Sequence, residues 1–537
     1  MSAPLHSRRR LSFAAATAAA TALAFAGAHA WGQAANAPPA SSYVRPAGGA
    51  LSADALLPPD QVPLKPAQIA LLERTLADAD SQGLESGDFG AAAADALLQS
   101  RDAGARQIGQ RQLVAAVLRY AKAVHSGRLA GPDFITDWGM RPAPYEPGPD
   151  FARAAMQDQL AAWLDGLPPP YTGYDSLRQG LATYRTIAAN GGWRPVPAGP
   201  EMKPGAIDVR AVALRARLAA EDPSVAATPP PQPPPAVAPP ASSAPTSSAP
   251  AAAAPAPPRY DPDLVQAVMR AQKRYGLQDD GVVNAATLAA LNTSVDRRID
   301  QILANIERWR WLPPVLPVDR IQVNIAAAIL TVFHSDTPTL SMRAVTGRPG
   351  DETPMLQSRV ESIVFNPPWN VPSTIATKEL WPKERANPGY FASHDFIVVP
   401  TGDGGSRLVQ KAGPQAALGK IKFDFPNPYG VYLHDTPTQS TFSRFSRLSS
   451  HGCVRLQHPL ILANALLQGD QTWTPETVDA TLATGKTVRA ALSQPVAVFL
   501  FYWTAYLGTD GMMNFRSDPY GWDATLMQRL RTPSGTV

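Results

Sequence analysis

Cys453 is the only cysteine in a chain of 537 residues, and three of the eight histidines, His434, His451 and His458, fall within the 25 residues 434–458 that contain it. A cluster of this composition has two chemical uses, a metal site or a thiol activated by an imidazole. Structural zinc takes four protein ligands, and catalytic zinc takes three plus a water. One cysteine and three histidines could supply them. However, His451 and Cys453 stand two apart, which is not the usual short-loop ligand pair, and no carboxylate-rich surroundings are evident to orient such ligands. A nucleophile needs less: a thiol, and an imidazole in hydrogen-bond reach to take its proton and later return it to a leaving amine. A buried, inert cysteine would simply pack as a small hydrophobe. With one cysteine there is no intramolecular disulfide, and a lone thiol in an oxidising compartment is open to oxidation.

The nucleophile reading requires elements that hold these groups. Gly430–His434 reads as a strand, which would fix the backbone of His434. Ser450-His451-Gly452-Cys453 then returns the thiol on a tight turn, where Gly452 permits close backbone approach. Backbone N–H groups around such a turn can form an oxyanion hole. Arg455, two residues on, is placed to hold the loop or to bind a substrate carboxylate in bidentate fashion. His458, before Pro459, reads as a helix N-terminal residue with no chemical role.

Around these residues, the last third of the chain is β-rich. Ile321, Val323 and Ile325 alternate with polar residues, Ala328–Phe333 reads as a second strand, and Val496–Tyr502 is an apolar strand near the C-terminus. Helical insertions are expected near 374–393 and 459–467. Residues 63–222 have helical periodicity, as in Leu113, Val117, Ala121 and Val124, and form an all-α block with no chemical constellation of its own. Residues 223–258 are a Pro-, Ala- and Ser-rich linker that cannot bury enough surface to offset its ordering entropy. A two-helix unit spans 259–294. A connecting helix in 295–318, with Ile299, Ile302, Ile306 and Trp309 along one stripe, ends at Pro313-Pro314. The β-rich domain occupies 319–509, and 510–537 is a C-terminal extension.

The N-terminus reads as an export signal, residues 1–30. Arg8, Arg9 and Arg10 precede an apolar stretch from Leu11 to Ala28, and Ala28-His29-Ala30 has the small-x-small form of a cleavage site. Residues 31–62 are a flexible lead-in. The apolar stretch is shorter than the roughly 20 residues that span a bilayer, so no stable membrane span is expected. Net charge is +4 over the whole chain, too mild and diffuse to argue for nucleic acid. The 56 prolines, about twice ordinary usage, gather largely in the linker.

Two resemblances extend this reading. The run Val268–Leu277, with Asp280-Gly281-Val282-Val283 and Thr287–Asn292, resembles the small peptidoglycan-binding domain of cell-wall enzymes, with Asn284 where that family usually has glycine. His434, fifteen intervening residues, then Ser450-His451-Gly452-Cys453-Val454-Arg455-Leu456 resembles the signature of the YkuD-type L,D-transpeptidases. Glu307–Pro313, Phe365–Pro372, Ala417–Phe423 and Tyr432–Pro437 resemble motifs of the long YcbB-like subgroup. The resemblance implies a multidomain protein: a β-rich YkuD-type catalytic domain with a helical lid insertion, an all-α scaffold domain and a small α-helical peptidoglycan-binding domain.

It further implies that Cys453 is the nucleophile and His434 the general base and acid, oriented by a nearby backbone carbonyl. Ser450, His451, Gly452 and Arg455 would support the loop and substrate, and the insertion near 373–399, with Trp381 and Tyr390, would be the lid. The implied reaction joins peptidoglycan stem peptides by 3→3 cross-links through a cysteine acyl-enzyme, in an exported, periplasmic or wall-associated protein. Its partners would be stem peptides and glycan, and carbapenems would acylate it. No metal and no organic cofactor is needed. Two alternatives remain: an L,D-carboxypeptidase that uses water as acceptor, and a non-catalytic wall-binding scaffold.

Overall fold

The computed structural model describes residues 57–226, 258–402, 404–508 and 510–532. The export signal, most of the lead-in and most of the Pro-rich linker lie outside the described residues.

The C-terminal half is organised by one sheet. Its strands are β1 (Arg320–Asn324), β2 (Ile329–His334), β3 (Thr337–Gly347), β4 (Leu356–Phe365), β8 (Ile421–Asp424), β9 (Leu433–His434), β10 (Leu448–Ser450), β11 (Val454–Leu456) and β12 (Val488–Phe501). The order is β10-β3-β11-β9-β8-β4-β12-β1-β2, and β2 also pairs with β3, so the sheet closes on itself. Closure leaves its strands without a free edge over most of their length. Three further strands, β5 (Trp369–Asn370), β6 (Phe396–Pro400) and β7 (Ser406–Gln410), form a separate small sheet inside the insertion.

The strand read from the alternation at Ile321, Val323 and Ile325 is present, and all five residues of β1, polar ones included, are buried. Packed elements cover its polar face: Arg320 lies over the Phe333 ring at 4.0 Å and Asn324 donates to the Trp503 carbonyl at 3.0 Å, while Gln322 Nε2 is buried without an acceptor among the described residues. The strand expected over Gly430–His434 is only Leu433–His434. Gly430 has φ +65°, which ends the extended run, and Asn427 holds the loop by accepting the N–H groups of Tyr429 and Val431, both at 3.1 Å. His434 therefore sits on a short strand braced by a side-chain-bonded loop.

The helical part has two cores. Helices Pro66–Ala77, Ala91–Leu98, Ala103–Ser126, Gly148–Met156 and Leu160–Asp165 enclose one, with Leu113, Val117, Ala121 and Val124 buried in it. Helices Thr172–Ala189 and Arg210–Ala219 instead pack into the core shared by the two-helix unit, the connecting helix Val295–Trp309 and the catalytic sheet. Within the two-helix unit, Asn284 has φ −85° and caps Ala285–Leu291 by accepting the Thr287 N–H at 2.9 Å, so this position does not need glycine.

The connecting helix leads into Arg310–Pro313, which fastens the helical block to the sheet. The Glu307 carboxylate is buried, accepts the N–H groups of Arg128 (2.6 Å) and Leu129 (3.2 Å), and pairs with Arg310 at 3.0 Å. Trp309 stacks on Trp503 at 4.8 Å. A second tie is closer to the site: Tyr429 donates to the Thr136 carbonyl at 2.7 Å, and Gly139 N–H to the Met355 carbonyl at 2.8 Å.

Candidate active site

Strands β8, β9 and β11 run side by side, and their register places Lys422, His434 and Arg455 in one row across the sheet. Directly paired residues share a face, as do residues two apart on one strand. Tyr432 therefore accompanies His434, and Cys453 accompanies Arg455. Lys422 Nζ lies 4.2 Å from the centre of the Tyr432 ring, and the Tyr432 and His434 rings are 5.5 Å apart.

His434 is buried, with Nδ1 2.5 Å from the carbonyl oxygen of Asp435. A carbonyl can only accept, so Nδ1 carries the proton and Nε2 keeps its lone pair. Burial, then the Arg455 guanidinium and the Lys422 ammonium, push its pKa down to about 3. The imidazole is therefore neutral at neutral pH. The Asp435 carboxylate accepts the N–H groups of Lys420 and Thr436, each at 2.7 Å, and lies against Gly419 where a Cβ would collide with it. Gly419, in the Ala417–Phe423 motif, thus makes room for the residue whose carbonyl orients the base.

The Cys453 side chain is partly exposed. Burial around the sulfur raises its pKa, against opposing contributions from the backbone N–H and hydroxyl of Tyr432, then Lys422 and Arg455. The indole of Trp369 acts in turn on the Tyr432 hydroxyl. Thiol and imidazole both rest neutral, and the pairing of Val454 with Leu433 and of Arg455 with His434 sets them on neighbouring strands. Lys422 pairs with Asp424 at 2.6 Å. Arg455 has no hydrogen-bond or ion-pair partner among the described residues, its Nε is buried without an acceptor, and desolvation lowers its pKa.

The turn carrying the thiol is held from within and from outside. Ser450 Oγ donates to the Cys453 carbonyl at 2.6 Å and accepts the Gly452 N–H at 3.2 Å. Gly452 has φ +104°, a conformation that penalises any side chain. His451 Nε2 lies 2.7 Å from Glu379 Oε1. Glu379 belongs to the π-helical turn Ala376–Leu380 in the insertion; it also meets Arg348 at 3.3 Å, and the His451 contact, ahead of Arg348, lowers its pKa.

The structure thus brings together Cys453, His434, Ser450, His451, Gly452 and Arg455. Trp381 and Tyr390 lie apart from that group. Trp381 packs edge-on against Phe391 at 4.9 Å and Tyr390 stacks on His394 at 4.1 Å, so both build the insertion's own core. His458 is exposed and precedes helix Pro459–Leu466. Among the described residues, no group of three or more His, Cys, Asp and Glu side chains is placed to hold a metal ion, and no helix is long and apolar enough to cross a membrane. Sequence reasoning missed Tyr432, Lys422 and Glu379 as neighbours of the site. Period-two spacing from His434 could have found Tyr432, whereas Glu379 has no local signal.

Comparison with known families agrees with this geometry. The L,D-transpeptidase catalytic domain (YkuD) matches residues 318–478, a scaffold domain matches 64–181, and a "putative peptidoglycan binding domain" matches 253–291. A "putative L,D-transpeptidase" of Haemophilus influenzae is 33% identical over 247 residues, which are 43% of this chain and 50% of the relative. The match thus spans about half the length of that curated relative. Among solved structures, an L,D-transpeptidase from Mycobacterium smegmatis is 16% identical, covering 34% of this chain and 58% of its own, with a TM-score of 0.19. The L,D-transpeptidase of Xylanimonas cellulosilytica is 15% identical, covering 57% and 99%, with a TM-score of 0.17. Superpositions at these scores fix no residue correspondence. Residues 318–478 are an L,D-transpeptidase catalytic domain of the YkuD family, in a chain that also carries a scaffold domain and a peptidoglycan-binding unit.

Proposed function

We propose that the chain is an exported, wall-associated L,D-transpeptidase that forms 3→3 cross-links between peptidoglycan stem peptides through an acyl-enzyme on Cys453. The observation that carries this is a partly exposed cysteine at the start of a strand that pairs with the strand of a buried, neutral imidazole, whose Nδ1–H is pinned by the Asp435 carbonyl. The family match over 318–478 supplies the reaction class.

Because thiol and imidazole are both neutral at rest, proton transfer to His434 Nε2 accompanies attack of sulfur on the carbonyl at the L-centre of the donor's third residue. The C–S bond forms as the carbonyl π bond opens, giving an oxyanion. Collapse expels the terminal D-alanine amine, which takes the proton from His434. The side-chain amine of a second stem then attacks the thioester, passes its proton through His434 to sulfur, and leaves an amide and free thiol. Arg455, a desolvated guanidinium without an acidic partner, suits a substrate carboxylate. The insertion bearing Glu379 is read as a lid held to the catalytic turn through His451.

The test is intact-protein mass after incubation with a carbapenem, whose strained amide is opened by the same thiol chemistry. One drug-sized adduct on wild type, absent from Cys453→Ala, supports the reading. Folded wild type that gains no adduct removes it and leaves a wall-binding role. Given tetrapeptide stems, 3→3 dimers mark a transpeptidase, and tripeptide alone marks the carboxypeptidase.

A further inference from the structure

The Gly452–Cys453 peptide is held by contacts that begin outside the catalytic motif. Thr353, in the connection between β3 and β4, is fully buried. Its hydroxyl donates to the Gly452 carbonyl at 2.7 Å and accepts the Gly347 N–H at 2.8 Å. Its own N–H donates at 3.3 Å to the hydroxyl of Tyr520, which donates at 2.6 Å to the Gly347 carbonyl. Tyr520, from the C-terminal segment, stacks on Tyr502 at 5.4 Å and packs edge-on against Trp522 at 4.9 Å. Thr353 is thus locked at backbone and side chain alike.

In a trans peptide the C=O and the following N–H point in opposite directions. With the Gly452 carbonyl fixed on Thr353, the Cys453 N–H is aimed away from Thr353, and no acceptor among the described residues takes it. A free N–H on the nucleophile's own residue is suited to an oxyanion, and an oxyanion donor acts by being oriented before the charge develops.

We propose that Thr353 is a positioning residue: by fixing the Gly452–Cys453 peptide plane it aims the Cys453 N–H at the oxyanion of the tetrahedral intermediate, with Tyr520 holding Thr353 in place. This rests on the acyl-transfer reading above. It makes the C-terminal segment part of the catalytic apparatus, although that segment lies outside the matched catalytic domain.

The test compares two reactions of the same thiol in the full chain. Acylation by a carbapenem passes through an oxyanion, whereas alkylation by iodoacetamide is a displacement at carbon and does not. Thr353→Val keeps shape but loses the hydroxyl. It is expected to slow acylation by about ten- to a hundredfold, short of the roughly 10²–10³ for deleting an oxyanion donor outright, while alkylation stays within about twofold. Thr353→Ser should recover most of the rate, and Tyr520→Phe should show the same split at smaller size. Tyr520→Phe carries the comparison if Thr353→Val fails to fold. Acylation at the wild-type rate, or acylation and alkylation falling together, overturns the proposal. Wild type that is alkylated but never acylated overturns the acyl-transfer reading, and this inference with it.

Discussion

The catalytic sheet and the insertion at 369–410 touch around the site but are built on different terms. His434 rises from a closed sheet whose inner residues, Leu433, Phe423, Ile363 and Val454 among them, belong to the core that also takes in the connecting helix and the peptidoglycan-binding unit. The insertion has its own small core of Val371, Ala376, Leu380, Phe391, Phe396 and Leu408. Its ties around the site are polar: Glu379 to His451 on the catalytic turn and to Arg348, and the Trp369 indole to the Tyr432 hydroxyl. The sheet can hold the base to a fixed position, whereas a small unit tied by exchangeable polar contacts can open without unfolding the rest.

Removing the base should have the largest effect. His434→Ala leaves the thiol without its proton acceptor and is expected to slow carbapenem acylation by about 10²–10⁴ with fold intact, read by mass spectrometry and circular dichroism. Next come paired core truncations that separate the two regions. Phe423→Ala should cost about 3–5 kcal/mol of global stability, since Phe423 is fully buried in the shared core. Phe391→Ala should leave the main unfolding transition nearly unmoved but open 373–410 to limited proteolysis. Equal loss of global stability in both would show that the insertion is continuous with the sheet. Glu379→Gln is smaller again, because its contacts with His451 and Arg348 lie at a partly exposed site, where each is worth about 1 kcal/mol or less. A several-fold rise in KM for stem peptides with kcat nearly kept is the expected sign of a loosened lid.

What sequence could reveal follows the same division. Cys453, His434, Ser450, Gly452 and Arg455 were legible because the fold places a short strand and the turn after it next to one another, so a linear motif is also a spatial one. The peptidoglycan-binding unit was legible in the same way. Glu379, Thr353 and Tyr520 were not: Glu379 and Thr353 reach the turn from 72 and 99 positions away, and Tyr520 acts on it only through Thr353, 167 positions before it. Two further misjudgements were local. Apolar residues at 431–433 suggested a full strand, but the loop is set by Gly430 and the Asn427 side chain. Trp381 and Tyr390, expected as lid residues, pack within the insertion instead, and its contact with the catalytic turn is the Glu379 carboxylate.

The mildest prediction concerns pH and tests the neutral pair directly. The ordinary histidine pKa is about 6.5, and His434 is held down to about 3 by burial, then Arg455 and Lys422. Between those values the unfolded chain takes up a proton that the folded chain refuses. The unfolded state then binds more protons, so stability falls as pH drops through that window, by at most about 1.4 kcal/mol per unit. Denaturant midpoints of wild type should therefore decline more steeply from pH 6.5 to 4.5 than those of His434→Gln; equal slopes would mean the imidazole is not buried neutral. The thiol supplies the other limb. Because burial raises the Cys453 pKa, its alkylation rate should keep climbing from pH 7 to 9. A thiolate already formed against an imidazolium would instead give a rate that is flat across that range. A plateau near neutrality would thus replace concerted proton transfer with a preformed ion pair, and would shift the burden of catalysis from His434 to whatever stabilises the anion.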